Sequence, residues 1–270
     1  MSAAAAPSVR PSGLSRADGA RALRALTRSE VRLFLRDPGA AFFALAFPAV
    51  LVLGVGFAFP GVRETLTDVP APWDGLQLIH VFVPIALATA MATPALSTLP
   101  VAIATHRERG VLRRLSTTPL RPQAVLVAQV VVALGAFVVA SVLALVAAGL
   151  AFDAPAPRQV GTALLVLVLG AGAIFGVGLL IAARAPKGTS ASGIGMLVYF
   201  PMLFFAGMWT PGPVMPEAVR TVSQYTPLGA ASQALTTAWF EGGFPALQLL
   251  VLVAYVVVLF PLAARLFRWT

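Results

Sequence analysis

Long apolar runs separated by short polar stretches are the dominant pattern of this chain. Six such runs can be drawn, at residues 39–59, 76–101, 124–150, 159–183, 189–210 and 246–266. Each reaches the ~20 apolar residues that a helix needs to cross the hydrocarbon core of a bilayer. The pattern therefore predicts an all-α integral membrane protein with six transmembrane helices.

Residues 18–38 show a helical alternation instead of a continuous apolar run. At ~100° per residue, one arc holds the apolar residues and the other holds the basic ones; they are Leu23, Leu26, Val31, Leu33, Phe34 and Leu35 against Arg21, Arg24, Arg28, Arg32 and Arg36. This predicts an amphipathic helix lying at the membrane interface, ended by Asp37-Pro38-Gly39. We expect residues 1–17 to form a disordered cytoplasmic tail and residues 18–270 to form a single transmembrane domain.

The stretch 211–245 is long for a loop and rich in Ala, Leu and aromatic residues. Pro216 to Ser223 is typical of a short helix, and Thr226-Pro227 offers an N-cap followed by proline at the first helical position. The helix that follows, Leu228 to Phe240, is short for a span. A re-entrant or interface-lying pair of helices is predicted; the alternative is a seventh span, which would move the C-terminus to the other side.

Composition and charge support a membrane protein and predict its orientation. Only 11% of the residues are charged, against about a quarter in soluble domains. Sixteen of the 19 basic residues lie on the side of the N-terminus, and three, Arg63, Arg158 and Arg220, lie on the other. By the positive-inside rule both termini are predicted to be cytoplasmic. Lys187 is the only lysine, a bias that suggests a bacterium, and therefore a multi-pass protein of the bacterial cell membrane.

Several kinds of site are disfavoured by residue types that the chain lacks or places elsewhere. It has no cysteine and two histidines, His80 and His106, so no metal site and no catalytic residue are predicted. The arginines flank apolar runs, which does not suggest nucleic-acid binding. No ionisable residue falls deep in a run, which disfavours a secondary transporter, a channel or a membrane-embedded enzyme; these remain the alternative functions.

The loop between the second and third runs carries a helical pattern of its own. Val111, Leu112 and Leu115 fall on one face, arginines occupy the rest, and Thr118-Pro119 ends the helix. A short amphipathic helix of this kind, over residues 105–118, suits docking into a groove of a soluble partner.

Three stretches resemble those of ABC-2-type transporter permeases. The most specific is Arg107-Glu108-Arg109-Gly110 followed by Leu112-Arg113-Arg114-Leu115 and Thr118-Pro119-Leu120. Arg36-Asp37-Pro38 before the first span and Tyr225-Thr226-Pro227-Leu228 before the last are similar to the family's corresponding segments. Val111 and His106 depart from the usual residues of the family.

The resemblance implies the transmembrane half of an ATP-driven exporter, with two permease halves, identical or homologous, and two cytoplasmic ABC ATPase subunits. It makes the loop between spans 2 and 3 the ATPase-coupling element, with Arg107, Glu108, Arg109, Gly110, Val111, Leu112, Arg113, Arg114, Leu115 and Pro119. The chain has no G-x-x-x-x-G-K-[ST] phosphate loop. It is therefore expected to bind no cofactor itself, and ATP and Mg to lie on the partner ATPase.

In the resembled family the second and fifth spans line the substrate path. The residues that this suggests are Thr89, Thr93, Ser97, Met196, Tyr199, Phe200 and Phe204; ordinary packing and lipid contact are the alternative. An uncharged aromatic path would suit a hydrophobic or amphipathic substrate such as a drug, a lipid or a lipid-linked molecule. Gly172, Gly176 and Gly178 are predicted to form one small-residue packing face on the fourth span.

Overall fold

The computed structural model describes residues 16–68, 73–111 and 123–267 and contains no β-strand within those ranges. Nine α-helices account for most of these residues: α1 Arg16–Leu35, α2 Pro38–Ala58, α3 Leu78–Glu108, α4 Gln123–Phe152, α5 Val160–Arg184, α6 Gly188–Phe205, α7 Glu217–Ser223, α8 Pro227–Phe240 and α9 Ala246–Leu266. Residues 1–15 of the predicted tail and residues 112–118 of the predicted coupling segment lie outside the described residues.

Six of these helices are long and apolar enough to cross a membrane, namely α2, α3, α4, α5, α6 and α9. This confirms the six spans predicted from hydropathy. Two ends differ by more than two residues: α3 continues past residue 101 to Glu108, and α6 stops at Phe205 instead of residue 210. The helix α6 stops there because the chain turns at Gly207, whose φ is +93°, a region that favours glycine.

The bundle has two ends that differ in charge. Arg36, Arg107 and Arg184 lie at one end, which we call the Arg-rich end, because α2 starts there and α3 and α5 finish there. The other end holds the α2–α3, α4–α5 and α6–α9 connections, and we call it the opposite end. A hydrogen bond from His80 Nε2, in the first turn of α3, to the carbonyl of Phe152 (2.9 Å) joins two helix ends there.

The helix α1 lies against the bundle with a narrower face than the one predicted. Leu23, Leu26 and Phe34 are half-buried as expected, but Val31, Leu33 and Leu35 are exposed. The centre of the inward face is Glu30, which is buried. The predicted apolar arc was therefore too broad, since Leu33 and Leu35 lie on opposite sides of Glu30, and it passed over this acidic residue, which faces the protein.

The helix α3 forms the centre of the bundle. In its most apolar window 94% of the residues are buried, against 22% for α2 and for α9. Small residues allow the close approach that this requires: a side chain at Gly178 of α5 would meet the carbonyl oxygen of Ala95, and one at Gly195 of α6 would meet that of Leu96. Both neighbouring helices therefore pack directly onto the backbone of α3.

The glycines of α5 serve two interfaces and not the single one that was predicted. A Cβ on Gly172 or Gly176 would meet Val256 or Leu259 of α9, whereas Gly178 faces α3. Residues 172 and 176 are one turn apart and share a face, but residue 178 points elsewhere because two residues advance a helix by ~200°.

The helices α7 and α8 form a segment that enters the bundle from the opposite end and returns to it. Near its start, Ala231 of α8 packs against Gly170, ten residues into α5 and therefore ~15 Å along it. Near its end, the carbonyl of Ala238 accepts a hydrogen bond from the backbone N–H of Gln159, just before α5 (3.0 Å). With 14 residues, α8 reaches mid-bundle without crossing it, which excludes the seventh span.

Candidate functional site

The predicted coupling segment begins on the last turn of α3. Thr105 to Glu108 continue the helix of the second span, and the chain leaves it at Arg109 and at Gly110, whose φ is +66°. The prediction of a separate helix starting at residue 105 is therefore wrong for its first turn. The change from apolar to polar residues therefore does not coincide with the end of the helix, which runs on to Glu108.

Arg107 closes the end of a neighbouring span. Its Nη1 donates hydrogen bonds to the carbonyl oxygens of Ala182 (2.8 Å) and Ala185 (2.7 Å), and its guanidinium lies over the ring of Phe267, 5.3 Å from the centroid. The last carbonyls of a helix lack partners within the helix and attract positive charge. Arg107 thus joins α3 to the end of α5 and to the residue that follows α9.

Glu108 binds the start of α6, as Arg107 binds the end of α5. Its Oε2 accepts a hydrogen bond from the backbone N–H of Gly188 (3.1 Å), the first residue of that helix. An acidic group is favourable there because the first N–H groups of a helix are unpaired and carry partial positive charge. We call Arg107, Glu108 and the α5–α6 turn that they hold the α3 clasp.

A buried polar cluster ties α1 to the same end of α3. Gln129 Nε2 of α4 donates to Glu30 Oε2 of α1 (2.6 Å), and His106 Nε2 of α3 lies 3.2 Å from Glu30 Oε1. Glu30 and Gln129 are both buried. Burying a carboxylate is costly unless it is well partnered, so the cluster fixes α1 in one position. Sequence reasoning missed this cluster, although Glu30 on the apolar arc of α1 was a usable signal.

The rest of the predicted coupling element is only partly described. Arg109 is exposed and Val111 is half-buried. Leu112, Arg113, Arg114, Leu115 and Pro119 lie outside the described residues, so their role remains a prediction. Arg107 and Glu108, which the resemblance also assigned to the coupling element, hold helix ends of their own subunit.

Two of the predicted substrate-path residues meet in the middle of the bundle. The hydroxyls of Thr93 on α3 and Tyr199 on α6 are 2.9 Å apart and buried. Thr93 and Thr89 also donate back to carbonyls of α3, those of Thr89 (2.9 Å) and Ile85 (2.8 Å). Residues 93–98 form a wider π-helical turn around Pro94, a local feature that is common at functional sites.

The other predicted path residues do not join this pair. Met196, Phe200 and Phe204 lie on the outward face of α6 and are 39%, 56% and 39% exposed, while Ser97 is half-buried. The set therefore divides into an inner pair with Thr89 behind it and a separate outward, mainly aromatic face of Met196, Phe200 and Phe204, with the half-buried Ser97 in neither group. The outward face is open to lipid or to a second subunit, and the inner pair is enclosed by its own subunit.

The structure contains a cavity that sequence reasoning missed. It has a volume of about 740 Å³ and lies at the opposite end, between α3, α7, α8 and α9. Its wall includes Gln233, Thr236 and Thr237 on α8, which are the half-buried residues of an otherwise buried helix. Their i, i+3, i+4 spacing in an apolar segment was the available signal. We call this cavity the polar vestibule.

Metal-binding geometry is absent from residues 16–68, 73–111 and 123–267, in which no three His, Asp or Glu side chains come together. With no cysteine in the sequence, the described residues offer helix ends, hydroxyls and aromatic rings. Such groups can transmit motion and bind organic molecules.

Comparison with known proteins agrees with this arrangement of helices. No curated protein matches the chain at a significant level. The sequence profile of the family described as ABC-2 type transporter matches residues 21–240, a range that runs from α1 to the end of α8. That range contains the α3 clasp, the Glu30 cluster and the Thr93–Tyr199 pair. The chain is thus a multi-pass membrane protein that belongs to the ABC-2 type transporter family.

Proposed function

We propose that this ABC transporter permease subunit works in an ATP-driven exporter that moves a hydrophobic or amphipathic molecule out of the cytoplasm or the inner leaflet. The chain has no phosphate-loop motif, so ATP and Mg would bind to separate ABC ATPase subunits. Two such subunits and a second permease half, identical or homologous, would complete the complex.

The α3 clasp is the observation that carries this proposal. A soluble ATPase that pulls on residues 109–118 would pull on the end of α3, because Gly110 follows that helix by two residues. Arg107 and Glu108 would pass the displacement to α5 and α6, and the Glu30 cluster would pass it to α1. One docking point would thus move four helices together.

The orientation of this machine is part of the proposal. The sixteen basic residues on the side of the N-terminus favour a cytoplasmic Arg-rich end in a bacterial cell membrane. The α3 clasp would then lie where a cytoplasmic ATPase can reach the residues beside it. The polar vestibule would open on the outer side.

The interior of the bundle supports an external energy source and an apolar cargo. In the described parts of the six spans, charged side chains are confined to the Arg-rich end. Proton- and ion-coupled transporters usually keep ionisable groups in the pathway. The outward aromatic face of α6 offers apolar surface to such a cargo.

Co-expression with candidate ABC ATPases, pull-down and transport into inverted vesicles test the proposal. We expect ATP-dependent uptake of amphiphiles that stops when the ATPase cannot hydrolyse ATP. Leu112→Asp or Leu115→Asp should abolish uptake while the protein remains in the membrane, and Leu112→Met is the matched control. Uptake driven by a proton or sodium gradient without ATP would contradict the proposal, as would unchanged efflux and normal ATPase co-purification in the Asp variants.

A further inference from the structure

The polar vestibule differs in character from the rest of the bundle. It is enclosed on one side by α8 and on the other by α7, with Trp73 and the first turn of α9 at its edges. Its volume of about 740 Å³ falls within the range of sites that hold small organic ligands, ~300–1,000 Å³. The size and position of the vestibule therefore suit the head group of an amphiphile.

Threonine hydroxyls in the wall of the vestibule already donate their protons to acceptors within the protein. Each of three threonines donates to an acceptor of its own subunit at 2.9 Å: Thr221 to the carbonyl of Glu217, Thr236 to the carbonyl of Ser232, and Thr237 to Oε2 of Glu241. A hydroxyl that donates its single proton has only lone pairs left to offer. The three threonines therefore present acceptors to the vestibule.

The amide nitrogen of Gln233 likewise donates its protons to acceptors within the protein. Its Nε2 donates both protons, to the carbonyl of Arg220 (3.0 Å) and to the hydroxyl of Ser223 (2.9 Å). An amide nitrogen carries two protons and no more. Gln233 therefore offers no donor to a ligand, and its Oε1 accepts from Nε2 of Gln248 (3.5 Å). The side of the vestibule that α8 forms thus presents mainly acceptors, those of Thr236 and Thr237.

The charges that line the vestibule do not cancel. Glu217 and Arg220 pair with each other at 2.6 Å near the mouth, where both side chains are exposed. The remaining charged group in the wall is the carboxylate of Glu241. Phe240, which precedes it in the chain, packs against the ring of Trp73, with centroids 5.9 Å apart, so the wall contains an indole ring as well as this carboxylate.

We propose that the polar vestibule binds the protonated amine of an amphiphilic cargo. An ammonium group supplies donors for the threonine oxygens and a positive charge for Glu241, and an indole face also attracts a cation. A neutral hydroxylated head group would gain hydrogen bonds but no charge pairing. The role of the vestibule in export rests on the proposed function, whereas its binding of an amine does not.

Equilibrium binding to the purified permease in lipid nanodiscs, without ATP, tests the proposal. The probes are dodecylammonium and, as its neutral counterpart, dodecyl maltoside, with Trp fluorescence as the readout. Glu241→Gln should weaken dodecylammonium binding about tenfold, the cost of one charge-assisted contact. Thr236→Val, which keeps the shape of the side chain, should weaken it about threefold by removing one neutral acceptor.

The matched control is Glu64→Gln, which removes an exposed carboxylate at the same end of the bundle but outside the vestibule. This variant should bind dodecylammonium like the wild type. Equal losses in Glu64→Gln and Glu241→Gln would mean general surface attraction and would overturn the proposal. Unchanged binding in Glu241→Gln would overturn it as well, as would an equal loss for dodecyl maltoside. Selective binding without ATP-driven transport would support the vestibule site and contradict the exporter.

Discussion

Removing the Arg107 guanidinium should uncouple the end of α3 from α5. In Arg107→Met the two hydrogen bonds to the carbonyls of Ala182 and Ala185 disappear, while much of the apolar stem is kept. Hydrogen bonds from charged donors contribute about 1.5–3 kcal/mol each when fully shielded. At this partly exposed end of the bundle, water can bond to the freed carbonyls, which reduces the loss of free energy. We therefore expect a loss of about 2 kcal/mol from the contact as a whole.

This free energy determines how strongly a displacement of α3 is transmitted to α5. A contact of about 2 kcal/mol corresponds to roughly a thirtyfold preference for the joined arrangement. If the ATPase moves α3, Arg107→Met should lower transported cargo per ATP hydrolysed by tenfold or more, with ATP hydrolysis itself retained. Arg107→Lys should recover part of the ratio, because an ammonium can still donate to these carbonyls although it lacks the planar fork.

Reconstituted complex, with transport and ATP hydrolysis measured in the same vesicles, provides this ratio. The control is Arg184→Met at the end of α5, since Arg184 is exposed and makes no ion pair and no side-chain hydrogen bond within the described residues. It should keep the wild-type ratio. A wild-type ratio in Arg107→Met, or an equal fall in both variants, would refute the role of the clasp.

Four further substitutions test the packing. Gly178→Ala should cost about 1–3 kcal/mol by overpacking and lower the thermal stability of the detergent-solubilised protein; Gly161→Ala, in open space on the same helix, should not, and equal stability would contradict the close helix approach. Tyr199→Phe should cost about 1 kcal/mol in the same assay, and no loss would mean that its hydroxyl bond is not formed. Thr226→Ala removes an N-cap worth about 1 kcal/mol and should speed hydrogen exchange at the start of α8. Glu30→Leu should speed exchange across α1, and protected amides there would contradict the buried cluster.

Hydropathy predicted the six spans because the length of an apolar run is a property of the run alone. The same kind of reasoning predicted the cap at Thr226, whose side chain accepts from the N–H of Gly229 at 3.2 Å. Such features depend on residues close together in the sequence. They could be predicted without knowing which helices are neighbours.

The face that each helix turns towards its neighbours, and the partners of its polar side chains, could not be predicted in this way. Glu30 finds its partners 76 and 99 residues away, and nothing in its own helix indicates them. Arg107 lies in a basic segment that is typical of a docking surface, yet its guanidinium donates to the carbonyls at the end of α5. Charges beside a membrane have two possible uses, docking a partner or closing a helix end, and only the arrangement of helices separates them.

The central position of α3 has a consequence for how the protein is made. Among the helices that enclose it, α5, α6 and α8 follow it in the chain, so α3 enters the membrane before these neighbours exist. At 5–20 residues per second, the ribosome takes on the order of ten seconds to reach the end of α8. During that time Thr89 and Thr93 can face lipid without penalty, because each hydroxyl donates to a carbonyl of its own helix. The second span can therefore remain stable in the bilayer until the helices that pack against it have been inserted.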